Sequence, residues 1–143
     1  MKKSLRNKAL RSVDRLITGT YKDQLWYVPG GWYATIYPVY DGYKPLKSQI
    51  VSDAKPDMTA IIEKISDMVP ATEFNRLTED DMEFVTLNTV DRFKPLKVNA
   101  IYYDLLKDLH PDAKIKISSM SMFDPIGFYE KDQLVALLMP LKS

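Results

Sequence analysis

The pattern of apolar and polar positions along the chain predicts two helices, each followed by strands. Apolar residues recur at spacings of three and four over residues 1–17, which predicts an amphipathic helix with Gly19 at its C-cap. The stripe consists of Leu5, Ala9, Val13 and Leu16, with Ile17 beside them. A second helix is predicted over residues 97–112, with Asn99 near its start and Pro111 ending it. Its expected core stripe consists of Val98, Ile101, Tyr102, Leu105 and Leu109.

Strand patterns fill much of the rest of the chain. Aromatic and β-branched runs flank Pro29-Gly30-Gly31, which predicts a hairpin, and residues 48–57 predict a short strand and a loop. Residues 82–90 alternate like a half-buried strand, whereas the preceding segment 70–81 is interpreted as a loop or crossover. A helix over about 57–68, with Asp57 as its N-cap, is a weaker prediction, because "IIEKI" also suits a strand. Three closing strands are predicted at "AKIKISS", "DPIGFYEKD" and "QLVALLMPLK".

The apolar ending "QLVALLMPLKS" has three possible explanations: a membrane tail, the end of a buried helix, or a last strand. A spanning helix needs about 20 apolar residues, so the membrane tail fails on length. The run follows two strand-like segments through short turns, and "EKDQ" forms the last of these turns. We therefore expect it to be the final strand, buried on both faces.

Composition narrows the protein class. The chain has 143 residues, of which 45% are hydrophobic and 27% charged, as in a globular domain. It has no cysteine, which excludes disulfides and thiolate metal sites, and residues 1–16 lack the apolar stretch of a signal peptide. We expect a cytoplasmic protein that does not enter a membrane. The net charge of +1 hides an asymmetry, because residues 1–15 are strongly basic and residues 79–83 carry four acids.

Three segments carry a resemblance to a known family. "VNAIYYDLLKDLHPDAKIKISS", "DPIGFYEKDQLVALLMPLK" and "AIIEKISDMVPATEF" resemble the processivity (sliding) clamp of bacterial DNA polymerase. The resemblance covers residues 58–143; over residues 1–57 only the order of elements is similar. It implies an α+β, DNA-clamp-like domain with two helices on one face of a curved antiparallel sheet. The half-domains would span about 1–69 and 82–143, joined by a crossover at about 70–81.

The resemblance also implies two sites and a non-enzymatic role in DNA replication. Clamps encircle duplex DNA with several such domains, so a ring would require a homo-oligomer of this chain, which could be virus-encoded (a phage protein). The DNA-binding candidates on the cationic face of the first helix are Lys3, Lys8, Arg11 and Arg15. By resemblance, a cleft for a peptide of a polymerase or other replication protein would include Leu137, Met139, Pro140, Leu141 and Lys142.

Each of these sites also has a plain structural explanation. The cationic face could be a solvated helix surface, and the terminal apolar residues could be core or sheet edge. Ser143 stands where clamps usually end on an apolar residue, and the predicted second helix exposes Asp104 and Asp108 beside Lys107, which counts against a cationic lining.

The rival hypothesis is a protein-interaction module, such as a viral inhibitor or scaffold, that binds a host protein and not DNA. It rests on the acidic segment 79–83 and on an aromatic run. The aromatic residues could stack single-stranded bases, but such a site would need interleaved basic residues, and residues 24–42 contain none, so a protein partner is favoured. The members of the run are Trp26, Tyr27, Trp32, Tyr33, Tyr37, Tyr40 and Tyr43.

Catalysis finds little support in the sequence. There is no glycine-rich phosphate loop, G-x-S-x-G motif or cysteine nucleophile. The only histidine, His110, could be grouped with Asp104, Asp108 and Asp112, but these residues do not share one helical face. We expect no catalytic site, no metal and no cofactor.

Overall fold

The computed structural model describes residues 3–21, 24–29, 33–38, 44–52, 68–89, 94–118 and 124–141. These residues form an α+β fold with two helices, α1 (Lys3–Arg11) and α2 (Ala100–Leu109). The strands are β1 (Arg15–Tyr21), β2 (Gln24–Pro29), β3 (Tyr33–Pro38), β4 (Ile50–Ser52), β5 (Met68–Pro70), β6 (Thr72–Glu79), β7 (Met82–Asn88), β8 (Leu96–Asn99), β9 (Lys114–Ser118), β10 (Ile126–Glu130) and β11 (Gln133–Leu138).

The larger sheet has eight strands in the order β4-β1-β2-β3-β11-β10-β9-β5. All neighbouring pairs are antiparallel except β1 and β4. Its centre is the β3–β11 pair, with Thr35 opposite Ala136. Read outward from this pair, the sheet holds β3, β2 and β1 on one side and β11, β10 and β9 on the other. A helix precedes each triplet along the chain, so the predicted order of a helix followed by strands occurs twice.

The smaller sheet, β6-β7-β8, encloses the core together with α2 and the larger sheet. Val85, Leu87 and Val98 turn one face of this sheet inward. Tyr103 and Leu106 of α2 pack there, and the larger sheet contributes Ile117, Ile126, Phe128, Ala136 and Leu138. Each of these side chains is almost completely removed from water, which is the main source of stability in a domain of this size.

The N-terminal helix is shorter than predicted. It ends at Arg11, and Leu16, Ile17 and Gly19 belong to β1 instead. The prediction failed because these residues gain strand partners: Leu16 and Ile17 pair with both β2 and β4, and Gly19 lies opposite Trp26 of β2. The Gln49 side-chain amide also donates to the carbonyl oxygens of Leu10 and Val13, at 2.7 and 2.8 Å, where the helical hydrogen bonds have stopped.

The second helix begins later than predicted, because Leu96–Asn99 form β8. Asn99 caps the helix as expected: its Oδ1 accepts from the Ile101 backbone N–H at 2.9 Å. The predicted stripe was partly wrong. The buried residues are Ala100, Tyr103, Leu106 and Leu109, whereas Ile101 is 73% exposed. Apolar residues surround much of this helix, so periodicity alone does not determine which face meets the two sheets.

Several strand predictions are confirmed. Strands β2 and β3 form the predicted hairpin, β4 lies within the segment 48–57, and β7, β9, β10 and β11 lie where alternation placed them. The interpretation of 70–81 as a loop is wrong, since β6 occupies most of it. Of the weakly predicted helix, residues 57–67 lie outside the described residues and Met68 belongs to β5. The half-domain boundaries remain a prediction.

Candidate functional site

A cavity of about 300 Å³ opens on the outer face of the β6-β7-β8 sheet. The apolar part of its lining comes from β6, the residue before β8 and the segment after β11. The lining residues are Phe74, Asn75, Leu77, Thr86, Lys94, Pro95, Lys97 and Leu141. Phe74 and Leu77 are 65% and 38% exposed, so water covers apolar surface that a ligand could bury. A concave apolar surface with a few polar groups is the common form of a binding site.

The β6–β7 pairing explains how polar-looking sequence forms this wall. The register shifts between Glu73 and Asn75, which leaves Phe74 as the extra residue of a bulge. The Thr86 hydroxyl binds Asn75, the residue that follows the bulge. It accepts a hydrogen bond from the Asn75 backbone N–H at 3.1 Å and also contacts the Asn75 side-chain oxygen. Asn75, Thr86 and Lys97 are successive cross-strand partners and therefore share the outer face.

The segment after β11 closes the cavity along β8. The Leu141 backbone N–H donates to the Lys97 carbonyl oxygen at 2.8 Å, which fixes the half-buried Leu141 against the sheet. The other predicted partner-binding residues separate into different environments. Leu137 is 3% exposed inside β11, Met139 is 41% exposed, and Pro140 is half-buried. The structure therefore places Leu137 in the buried core. Lys142 and Ser143 lie outside the described residues.

An ionic network attaches β6 to α2 on the opposite face of the small sheet. The Arg76 guanidinium donates to both carboxylate oxygens of Asp104, at 2.9 and 2.7 Å, and its Nε donates to Glu73 at 2.9 Å. These hydrogen bonds hold the pKa of Asp104 below its usual value and raise that of Arg76. The groups are partly solvated, so the network orients β6 more than it stabilises the whole domain.

The β6–β7 turn carries the acidic cluster predicted from the sequence. Asp80 and Asp81 have positive φ angles of 51° and 63°, typical of a two-residue hairpin turn that favours Asn, Asp and Gly. Glu79 pairs with Lys97 at 3.1 Å, and Glu83 lies 3.5 Å from Arg76. Within the part of the chain that the structure describes, Asp80 and Asp81 form no ion pair. The turn therefore presents negative charge to solvent.

The predicted DNA-binding residues do not share one helical face. Lys8 and Arg11 are exposed on α1, but Arg15 is exposed at the start of β1. Lys3 begins α1, and its side chain lies outside the described residues. Arg6 is only 4% exposed, and its Nε donates to Asn7 at 3.0 Å. Part of the basic N-terminal segment is therefore turned into the protein.

The outer surface of α2 has mixed charge, as the sequence indicated. Lys107 and Asp108 are exposed, and Asp104 is engaged by Arg76. Lys107 lies 5.8 Å from the centre of the Tyr103 ring, within cation–π range. This helix adds no continuous positive surface to that of α1.

His110 is part of the packing at the end of α2. It is 2% exposed, its Nδ1 lies 3.1 Å from Glu130 Oε1, and its Nε2 has no hydrogen-bond partner among the described residues. Burial lowers the pKa of His110, and the nearby Glu130 carboxylate offsets part of that effect. The grouping with three aspartates, which the sequence analysis considered and did not favour, is absent here: the described residues contain no group of three or more His, Cys, Asp or Glu arranged to hold a metal.

The described residues include part of the aromatic run. Trp26 and Tyr27 belong to β2, and Tyr33 and Tyr37 to β3, while Trp32, Tyr40 and Tyr43 lie outside the described residues. Its proposed exposure therefore remains a prediction.

Sequence reasoning missed Phe74, Leu77 and Pro95 as lining residues. The interpretation of 70–81 as a loop hid the first two. The available signal was a pair of large apolar residues in an otherwise polar segment, followed by an Asp-Asp turn.

Comparisons with protein-family models, curated proteins and solved structures found no match. Among the described helices, none is long and apolar enough to span a bilayer.

Proposed function

We propose that this protein is a non-enzymatic accessory of DNA replication with a clamp-like fold, which binds a short segment of a partner protein in the cavity lined by Phe74, Leu77 and Leu141. The observation that carries the proposal is the position of Leu141. The family resemblance named this residue for partner binding, and it lines an apolar cavity whose other walls were not part of that prediction. Two helix-then-strands units meeting at β3 and β11 support the clamp-like fold.

The chemistry of the cavity favours a peptide over a polar metabolite. Its walls offer a phenyl ring, two leucines and a proline, with Asn75, Thr86 and two lysines as the polar groups. Such a surface gains free energy mainly by burying apolar side chains of the ligand. The half-exposed Met139 lies two residues before Leu141, and a methionine adapts its shape to different side chains.

A peptide titration tests this function. Short synthetic peptides with leucine and phenylalanine anchors would be added to isotope-labelled protein while backbone amide chemical shifts are recorded. We expect shifts at Asn75, Thr86 and Leu141, and we expect Leu141→Asp to abolish them because a buried carboxylate would need to lose its hydration. Ile101→Asp is the matched control, since Ile101 is 73% exposed and lies on α2. Absence of shifts at the cavity with every peptide would contradict the proposal.

Contact with duplex DNA is a second candidate function, supported by the exposure of Lys8, Arg11 and Arg15. Binding to phosphates requires cations at the surface and no base-specific groups. With Arg11→Glu and Arg15→Glu combined, we expect weaker duplex binding and a salt dependence reduced by about two units of log–log slope. Lys107→Glu on α2 serves as the control. Unchanged binding at low salt would remove DNA from the function and favour the rival protein-interaction module.

Self-association decides whether a ring forms. Light scattering coupled to size exclusion, at several protein concentrations and with circular or linear duplex, would reveal a closed multimer of defined mass that retains circular DNA better. A monomer or dimer indifferent to DNA would leave the partner cavity as the functional site.

A further inference from the structure

Among the described residues, strand β6 has a strand neighbour on one side only. It is the outermost strand of the small sheet, all eight of its residues are exposed, and β7 is its only strand partner among the described residues. In a two-residue hairpin the residues flanking the turn bond each other, here Glu79 and Met82, and the bonding direction then alternates. The backbone N–H and C=O of Thr78 therefore point toward the open edge.

The open edge adjoins the cavity. Phe74, Asn75 and Leu77 belong to β6 and line the cavity, and register with β7 is regular from Asn75 to Glu79. A strand laid beside β6 would place alternate side chains on the same face as Leu77, at the usual cross-strand distance. Main-chain bonds to an edge together with pockets for alternate side chains are the two parts of strand addition.

Charge distinguishes the two ends of this edge. The turn that follows β6 carries Asp80 and Asp81, which form no ion pair within the described residues, next to Glu79 and Glu83. A segment with basic residues at the end that meets this turn complements the charge, whereas an acidic one is repelled.

We infer that the partner segment binds as an extended strand added to β6, with apolar side chains over Phe74 and Leu77 and basic residues against the Asp80–Asp81 turn. The inference rests on the proposed function, because β6 and the cavity form one surface. Antiparallel pairing is the commoner arrangement, and since β6 runs toward the turn it places the basic residues at the N-terminal end of the segment.

The first test uses a synthetic peptide, acetyl-Lys-Arg-Thr-Leu-Thr-Leu-Thr-amide, with binding measured by calorimetry. Thr78→Pro removes one edge N–H without removing a bond to β7, and proline is tolerated at such a position. We expect Thr78→Pro to weaken binding about tenfold and Thr78→Ala, which keeps the N–H, to change it by less than about twofold. Thermal melting shows whether the Pro variant keeps the fold.

A second test does not depend on that variant folding. N-methylation of alternate peptide amides, in two complementary patterns, should abolish binding for the pattern that faces β6 and spare the other pattern. Asp80→Asn with Asp81→Asn keeps residues that tolerate positive φ and removes both charges. We expect affinity to fall about fivefold at low salt, with a weaker salt dependence.

The outcomes separate the inference from the proposed function. Binding that is lost in Leu141→Asp but equal for Thr78→Pro, Thr78→Ala and both methylation patterns would overturn strand addition and leave the cavity as the site. A peptide with Glu-Glu in place of Lys-Arg that binds equally well would overturn the charge assignment. Failure of the Lys-Arg peptide to bind at all would overturn the inference, and the anchored-peptide titration would then judge the proposed function independently.

Discussion

The β6–β7 and β10–β11 hairpins use the same turn and lie in opposite environments. Asp80 and Asp81 have φ angles of 51° and 63°, and Lys131 and Asp132 have 48° and 63°. Strands β10 and β11 lie inside the eight-stranded sheet with Phe128, Ala136 and Leu138 buried, whereas β6 is exposed along its whole length. The turn reverses the chain locally, but the apolar content of the flanking strands decides whether the hairpin joins the core.

Each hairpin is also joined to α2 by one ionisable pair. Glu130 at the end of β10 meets the buried His110, and Arg76 of β6 meets the partly exposed Asp104. Burial of His110 makes its charged form costly, whereas solvent screens the Arg76–Asp104 pair. The two pairs should therefore change the free energy of unfolding in different pH ranges and by different amounts.

The largest difference should come from removing the aromatic ring of each hairpin. Phe128→Ala leaves a cavity in the core, beside Tyr103 at a ring-centre distance of 6.1 Å, and should lower the free energy of unfolding by about 3–5 kcal/mol. Phe74→Ala removes a ring that is 65% exposed and should change it by about 0.5 kcal/mol or less. Urea denaturation followed by circular dichroism measures both.

Peptide binding should show the reverse order. Phe74→Ala should weaken binding at the cavity although the fold is unchanged. Equal destabilisation by the two substitutions would mean that the two hairpins are not energetically distinct.

Mild acid should lower the stability of the fold through the buried His110. The pKa of His110 is lowered by burial in the folded state, so the unfolded chain takes up this proton first as the pH falls below about 6.5. Stability should then decrease with falling pH by at most about 1.4 kcal/mol per pH unit. His110→Gln keeps a hydrogen-bond donor for Glu130 without the titration, so its stability should vary less between about pH 7 and pH 5. Parallel curves for the two proteins would contradict this assignment.

The β6 link should require stronger acid. Arg76 lowers the pKa of Asp104, so this pair contributes stability above the ordinary carboxyl pKa, and the contribution is lost as the pH falls through the folded-state pKa. Arg76→Lys loses the two-pronged hydrogen bond and should cost about 0.5–1 kcal/mol near pH 7. The difference from the parent protein should shrink as the pH falls below the ordinary carboxyl pKa, and it should vanish in acid strong enough to protonate Asp104 in the folded state. A cost that persists there would identify a packing effect instead of a charge effect.

The turns should have an effect no larger than that of the Arg76–Asp104 pair. Replacing both residues by Asn-Gly removes the strain of positive φ, and at Lys131–Asp132 it should raise the free energy of unfolding by about 0.5–1 kcal/mol. The same change at Asp80–Asp81 should act mainly on local opening of the exposed hairpin. Amide hydrogen exchange should therefore slow in β6 and β7 with little change in the global unfolding free energy.

The contrast between the hairpins also explains what could be predicted from sequence. The last three strands were found because alternation and apolar runs signal strands that are buried. Strand β6 was missed because the apolar residues of "TEFNRLTE" do not recur at every second position, and its strand structure depends on pairing with β7. Likewise Leu16 and Ile17 fit a helical stripe, and only pairing with β2 and β4 places them in β1.

The candidate site, like the fold, was predicted only in part from the sequence. The resemblance identified Leu141 as a partner-binding residue. The opposite wall, with Phe74 and Leu77, lies about 65 residues earlier in the chain, in the segment that was interpreted as a loop. The basic N-terminal segment was recognisable by its charge, yet charge alone does not reveal that Arg6 turns inward.

The β3–β11 pair at the centre of the large sheet has a consequence for synthesis. Thr35 and Ala136 face each other although about a hundred residues separate them along the chain. Until the ribosome has synthesised β11, the edge of β3 that pairs with β11 in the folded protein has no such partner. Loop closure over such a distance is slow, so we expect this sheet to be completed late, with folding rate limited by the arrival of β11. Until then, β3 is a site at which a nascent chain could pair with the wrong strand and aggregate.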